Sequence, residues 1–188
     1  MRKPIAVVVA SGGLDSCVCC ALAALDHELA MLHVGYGQRT QVRERRAFDE
    51  IADYYDVSRR LVLSMEHFRS IGGSSLTDIT IPVPLKPDGQ DIPNTYVPFR
   101  NANILAAGTS FAEVIGARSV YIGVNSVDSS GYPDCRPEFI DAFNRLIEVG
   151  TKVGRIRIQA PLLHMTKREI VTEGIRLGAP IEKSWSCY

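Results

Sequence analysis

The chain has 188 residues, 46% of them hydrophobic and 22% charged, with 21 basic and 21 acidic side chains. That length suits a single domain over residues 1–188 with an ordinary hydrophobic core. A formal net charge of zero disfavours strong nucleic-acid and membrane-surface binders, which carry a basic excess, and no stretch approaches the ~20 apolar residues of a membrane span.

The opening run MRKPIAVVVASGG joins a basic start to a short apolar stretch and leads straight into glycines. It reads as a first strand over residues 5–10 rather than a signal peptide. A helix is expected over 16–25, a strand over 29–34, and a helix over 41–55 with Val42, Phe48, Ile51 and Tyr55 on one face. A short strand at 60–63 follows. Residues 66–98 then break the pattern with Gly72, Gly73, Pro82, Pro84, Pro87, Gly89 and Pro93, a loop of the length that is functional or mobile. Next come a helix at 100–115 with Gly116 as its C-cap, a strand at 120–124, a polar loop at 126–136, and a helix at 137–149 with Pro137 in its first turn. A strand at 156–160 and a helix at 166–177 close the pattern, the last opened by Thr166 and Glu169 at capping-box spacing. Strands alternating with helices predict a doubly wound α/β fold, with a mainly parallel sheet and helices on both faces. Ligands in such folds bind beyond the carboxyl ends of the strands. The loops that begin at Ser11, Gly35, Ser126 and Pro161 should therefore converge.

Five cysteines, an odd number with Cys17, Cys19 and Cys20 clustered, argue for a reducing cytoplasm and against a disulfide framework. The three clustered thiols read as packing residues on the first helix. Cys17 and Cys20 alone do not make a zinc site.

The most specific local pattern is Ala10-Ser11-Gly12-Gly13-Leu14-Asp15-Ser16, between the first strand and the first helix. Glycines let backbone approach a phosphate, and the helix start supplies N–H groups and a positive dipole end. Ser11 and Ser16 add hydroxyl donors. Asp15 beside phosphate calls for an intervening cation, which suggests Mg²⁺. A plain strand–helix turn capped by Ser or Asp is the alternative that these residues alone allow. The pattern is neither the dinucleotide-binding glycine motif nor a Walker loop with its lysine. It resembles the PP-loop of the ATP pyrophosphatase superfamily, whose members cleave ATP to AMP and pyrophosphate and activate a carbonyl or carboxylate by adenylation.

Four further segments, His33 to Thr40, Val97 to Asn101, Gly123 to Phe139 and Pro161 to Val171, resemble one family of that superfamily nearly from end to end, the 7-cyano-7-deazaguanine synthases. His33-Val34-Gly35-Tyr36-Gly37-Gln38-Arg39-Thr40 is similar to the family's Tyr-Gly-Gln-Arg segment, with Gly37 and Gln38 near the nucleotide; Gly35 stands where many members carry Asp. Val97-Pro98-Phe99-Arg100-Asn101 resembles its Val-Pro-x-Arg-Asn turn. There Arg100 suits a phosphate or carboxylate clamp, and Asn101 faces substrate or caps the helix. The run from Gly123 to Phe139 is the longest match. Asn125, Asp128 and Asp134 could meet the polar edges of a deazaguanine, Tyr132 or Phe139 could stack on its ring, and Arg136 is placed on the substrate side. In the segment Pro161 to Val171, the resemblance sets Lys167 on ATP phosphate, which would offset the unfavourable placing of a cation at a helix start. His164 reads as a core or loop histidine.

The resemblance implies an ATP- and Mg²⁺-dependent conversion of 7-carboxy-7-deazaguanine and ammonia into the nitrile through adenylated acid and amide. Asp15, Arg100 and Lys167 would serve the chemistry in a cytoplasmic homodimer that needs no nucleic acid or membrane. It further implies that Cys187, in Ser184-Trp185-Ser186-Cys187-Tyr188, opens a four-cysteine Zn²⁺ site. The other three cysteines are not in this sequence, so a C-terminal zinc-binding segment is expected to be missing by truncation. The tRNA thiolases of the same superfamily usually add tRNA-binding domains and a basic surface, features this chain lacks. A nucleotide-binding module without catalysis would bind ATP and release no AMP.

Overall fold

The structure, a computed structural model, describes residues 2–83, 92–127, 131–152 and 154–185. The sheet begins with β1 (Ile5–Val9), whose Ala6, Val7 and Val8 are fully buried. A strand that is apolar on both faces must be covered on both, which is the setting of a central parallel strand. β2 (Glu28–Gly35) and β3 (Arg59–Ser64) are added on one side of it, β4 (Ser119–Ile122) and β5 (Arg157–Gln159) on the other, in the order β3-β2-β1-β4-β5. All neighbours are parallel, with Val7 opposite both Ala30 and Val120. The direction of growth reverses between β1 and β4, and that reversal opens a crevice at the carboxyl edge.

Alternate residues of the strands go to opposite layers, as the two-residue period requires. Val7, Leu32 and Val120 pack with α4 (Arg100–Ile115) and α5 (Pro137–Gly150) through Leu105 and Ile147. Val8 and Met31 pack with α1 (Leu14–Asp26), α2 (Gln41–Tyr54) and α6 (Lys167–Arg176) through Val18, Phe48, Ile51 and Ile170. Cys17, Cys19 and Cys20 lie in this second layer as free, buried thiols. The expected α/β architecture is therefore present, with element ends displaced by a residue or two. Among the described residues no helix is long and apolar enough to cross a membrane.

Helix caps follow the sequence closely. Gly116 adopts a left-handed φ of 72° after α4. Thr166 and Glu169 form a reciprocal capping box at α6. Two expectations change. Val42 is 83% exposed: it lies nine positions before Ile51, and at about 100° per residue that places it on the opposite side of the helix. The segment 66–98 is also partly built, because α3 (His67–Ile71) falls inside it. Phe68 of α3 packs with Tyr36, Leu76 and Val97 in a small separate cluster. Pro84, Pro87 and Gly89 lie outside the described residues.

Phe48 is fully buried and touches the His33 ring at 5.1 Å. Phe48→Ala should cost about 3–5 kcal/mol, read as a lower denaturation midpoint at unchanged m-value.

Candidate active site

The chain leaves β1 through Ser11-Gly12-Gly13 and enters α1 directly. Gly12 has φ +91°, and a Cβ there would press into the Glu44 carbonyl of α2, so only glycine fits. The loop is held from within. The Gly12 amide donates to Ser16 Oγ at 3.2 Å, the Gly13 amide to Ser11 Oγ at 3.2 Å, and the Ser16 hydroxyl to the Gly13 carbonyl at 2.9 Å. Gly13 is the N-cap and has no side chain to cap with. The positive end of a 13-residue helix thus faces the loop, as an anion site needs. Leu14 follows as the first residue of α1.

The loop is also braced from outside. His33 lies 3.1 Å from the Ala10 carbonyl through Nδ1. Burial lowers its pKa, so the neutral ring donates Nδ1–H to that carbonyl. The Trp185 amide donates to the Gly12 carbonyl at 2.8 Å, and the Arg43 guanidinium stacks on the Trp185 ring at 4.5 Å.

Asp15 in the first turn of α1 and Lys167 at the start of α6 meet: Lys167 Nζ donates to both Asp15 carboxylate oxygens at 2.8 Å. The side chains are 24% and 52% exposed respectively. A pair this open adds only about 0–1 kcal/mol to stability. Its position beside the loop is its more telling property. Gly123, just after β4, packs against the same turn, where a Cβ would sit 2.9 Å from the Asp15 carbonyl carbon.

At the start of α4, Arg100 Nη1 donates to the Tyr36 hydroxyl at 2.9 Å, and its guanidinium lies 5.1 Å from that ring's centre. Asn101 is clamped to the loop that follows β4. Its backbone N–H donates to Asp134 Oδ2 at 2.9 Å and its side-chain amide to the Asp134 carbonyl at 3.1 Å. Asp134 therefore caps α4 from another segment. The residue at the N-cap itself, Phe99, sits in the left-handed region with φ 57° and makes no side-chain cap. Asp134 is 3% exposed, and its Oδ1 has no partner among the described residues. Burial raises its pKa, against the opposing effects of the Asn101 N–H bond and the Arg100 charge.

Asn125 and Ser126 join the two loops at the far side of the crevice. The Asn125 amide donates to the Leu162 carbonyl at 3.0 Å and to the Met165 carbonyl, and the Ser126 hydroxyl to the Leu163 carbonyl at 2.6 Å. Gln38 is an internal brace. It accepts from the Tyr36 amide at 2.8 Å and donates to buried Glu44 at 2.8 Å. Gly37 has φ +81° and donates its amide to Gln41 Oε1 at 3.0 Å. That Gln41 side chain lies over Gly35, 2.9 Å from where a Cβ would be, so a larger residue at 35 requires Gln41 to move. Tyr132 bonds Thr95 at 2.6 Å, Phe139 lies edge-on to Phe99 at 6.5 Å, and Arg136 reaches the Gly131 carbonyl at 3.5 Å.

The structure thus brings Ser11, Gly12, Gly13, Asp15, Ser16 and Lys167 together, and separately Arg100, Asn101 and Asp134. Asp128 and Cys187 lie outside the described residues. Among the described residues no three His, Cys, Asp or Glu side chains gather to hold a metal. Sequence reasoning passed over His33, Phe99 and Trp185. Only Phe99 carried a signal, as the variable position inside a recognised turn.

A five-stranded parallel sheet whose first loop is built this way has the fold of the PP-loop ATP pyrophosphatases. A U34-tRNA thiolase NcsA from Methanococcus maripaludis has a similar fold, with TM-score 0.60 at 15% identity over 100% of this chain and 61% of the other. So does an NH3-dependent NAD synthetase from Campylobacter jejuni, with TM-score 0.52 at 15% identity over 100% and 71%. Within that class, the model of the family described as queuosine biosynthesis protein QueC matches residues 5–188, and this chain belongs to that family. A 7-cyano-7-deazaguanine synthase from Acidobacterium capsulatum is 53% identical over 192 residues, covering 100% of this chain and 84% of the relative. Its namesake from Chloroherpeton thalassium is 54% identical over 186 residues, covering 97% and 82%.

Asp134 yields a pH test. Its folded pKa is raised, so its charged form lowers stability at neutral pH, and the loss is relieved as pH falls through the folded pKa. Asp134→Asn keeps an oxygen for the Asn101 amide and carries no charge. The variant should melt above the wild type at pH 7, with the difference shrinking toward pH 4, as scanning calorimetry would measure.

Proposed function

We propose that the chain makes 7-cyano-7-deazaguanine, the product in the names of its relatives, from 7-carboxy-7-deazaguanine and ammonia at the expense of ATP. The observation that carries the mechanism is the Asp15–Lys167 pair, set at the starts of α1 and α6 beside the glycine loop.

Two oxygens must leave the carboxylate, and each needs a good leaving group. In the first half the carboxylate attacks the α-phosphorus of ATP, giving the acyl adenylate and pyrophosphate. Ammonia adds to the acyl carbon, AMP leaves with one oxygen, and a proton is released to give the amide. In the second half the amide oxygen takes the adenylyl group of another ATP, again releasing pyrophosphate. Loss of AMP and of both protons on nitrogen leaves the nitrile. Both original oxygens depart on AMP, and no covalent enzyme nucleophile is required.

The chain's part is positioning and charge stabilisation. Amides of the Ser11–Ser16 loop would receive the pyrophosphate portion. Magnesium, when bound, screens phosphate charge, and Asp15 with phosphate oxygens and water would hold it. A single carboxylate suits an ion that keeps most of its water and phosphate ligands. Lys167 would then offset phosphate charge, and Arg100, oriented by Tyr36, would face the acyl oxygen. Asn125 and Asn101 shape the crevice through backbone carbonyls rather than by reading the base.

The thiolase reading is less well supported, because it needs a reactive cysteine. Burial pushes Cys17 up to about 12 and Cys135 up to about 11, and Cys19 and Cys20 are raised as well. A thiolate is the nucleophile, so these thiols are inert near neutral pH.

Mass spectrometry of a mixture with Mg-ATP, ammonium and the acid should show amide and then nitrile appearing with AMP. Asp15→Asn should reduce turnover by about 100-fold or more while retaining the wild-type circular dichroism. Turnover near wild type in that variant would overturn the role given to Asp15.

A further inference from the structure

Phe99 combines three features that are seldom found together. It is a bulky side chain at φ 57° and ψ 25°, a conformation that such residues avoid. The residue is 62% exposed, so burial does not compensate for the strain. The conformation is nevertheless fixed from several directions. The Phe99 amide donates to the Tyr96 hydroxyl at 2.9 Å, and the Phe99 carbonyl accepts from the Asn103 side-chain amide at 2.9 Å. The ring lies edge-on to Phe139, with planes at 79°. Tyr96 in turn packs on Tyr132, whose hydroxyl bonds Thr95. Residues 95–99 are thereby stapled to the loop and helix start that follow β4. A strained backbone that its surroundings over-determine is typical of a side chain presented to a ligand.

The neighbour of Phe99 in sequence is Arg100, whose guanidinium is held at the Tyr36 hydroxyl. An exposed aromatic followed at once by a clamped guanidinium matches a flat heteroaromatic acid, with the ring on the aromatic and the carboxylate at the cation. We propose that Phe99 is a specificity-determining residue that stacks on the fused ring of the acid substrate, while Arg100 beside it takes the carboxylate. The inference rests on the activity proposed above. It assigns to Phe99 the stacking that the sequence pattern offered to Tyr132 or Phe139. Those two rings instead support the platform: Tyr132 holds Thr95 and Tyr96, and Phe139 meets the edge of Phe99.

The test compares Phe99→Gly and Phe99→Trp with the wild type. Glycine accepts a positive φ without strain, so Phe99→Gly should melt no lower than the wild type. Its KM for 7-carboxy-7-deazaguanine should rise about tenfold or more, the size of effect expected for a lost base–aromatic stack, and its KM for ATP should stay unchanged. Phe99→Trp should keep the acid KM within about threefold, and acid binding should quench the introduced indole. An unchanged acid KM in Phe99→Gly overturns the proposal and leaves the activity standing. A rise in the ATP KM alone would assign the ring to adenine and also overturns it. A fall in melting temperature with both KM values raised would show a structural role and overturns it as well. If the wild type does not turn over the acid, the activity reading fails; saturable quenching of Phe99→Trp by the acid would still uphold the stack, and no quenching would overturn it.

Discussion

Close backbone contact at two glycines sets the position of everything else in the site. At Gly12 the outgoing loop of β1 presses on the Glu44 carbonyl of α2, and at Gly123 the loop after β4 presses on the first turn of α1. A Cβ at either position would force apart segments whose main chains now lie in close contact. Because they touch, the N-terminus of α1 stands in the crevice made by the reversal of strand order, and Asp15 projects beside the loop toward Lys167. The glycines therefore matter less for flexibility than for the width they remove.

A second consequence is that many polar groups near the crevice serve the scaffold. Asn125 and Ser126 bond the loop after β5, Gln38 links the Tyr36 amide to Glu44, and Asp134 caps α4 across sequence. Buried polar groups must be paired or they cost stability, and polar loops at a sheet's edge meet that demand with one another first. The groups proposed to meet ligand are a small set: the loop amides, Asp15 with Lys167, and Arg100 with Phe99. These groups lie at the starts of α1, α4 and α6, where helix dipoles favour negative charge. The substrates proposed above, which bear phosphates and a carboxylate, suit that field.

How much of the site was legible depended on the range of the cause. The glycine loop after β1 is a local object, seven residues whose glycines, hydroxyls and carboxylate form a pattern legible from spacing alone. The capping box at Thr166 and Glu169 and the C-cap at Gly116 are equally local, and both are present where the pattern put them. The face of α2 was misjudged at Val42 because the four chosen positions do not share one helical stripe. The bonds of Asn125 to the Leu162 carbonyl and of Gln38 to Glu44 are not legible in the sequence, because a side chain's partner across a fold leaves no mark on its neighbours. Phe99 was passed over for a related reason: its chemistry is ordinary, and only its backbone conformation and exposure distinguish it.

The sequence by itself determined the alternation of strands and helices, the glycine loop after β1 and the family to which they belong, since each follows from periodicity or from contiguous residues. Tertiary structure alone decided which polar side chains brace one segment against another. It paired Asp15 with Lys167 across 152 residues, carried Asp134 to the start of α4, and laid Trp185 against Gly12. Hydrogen bonds and ion pairs act over a few ångströms of space, and separation along the chain does not specify that distance until the sheet order is set.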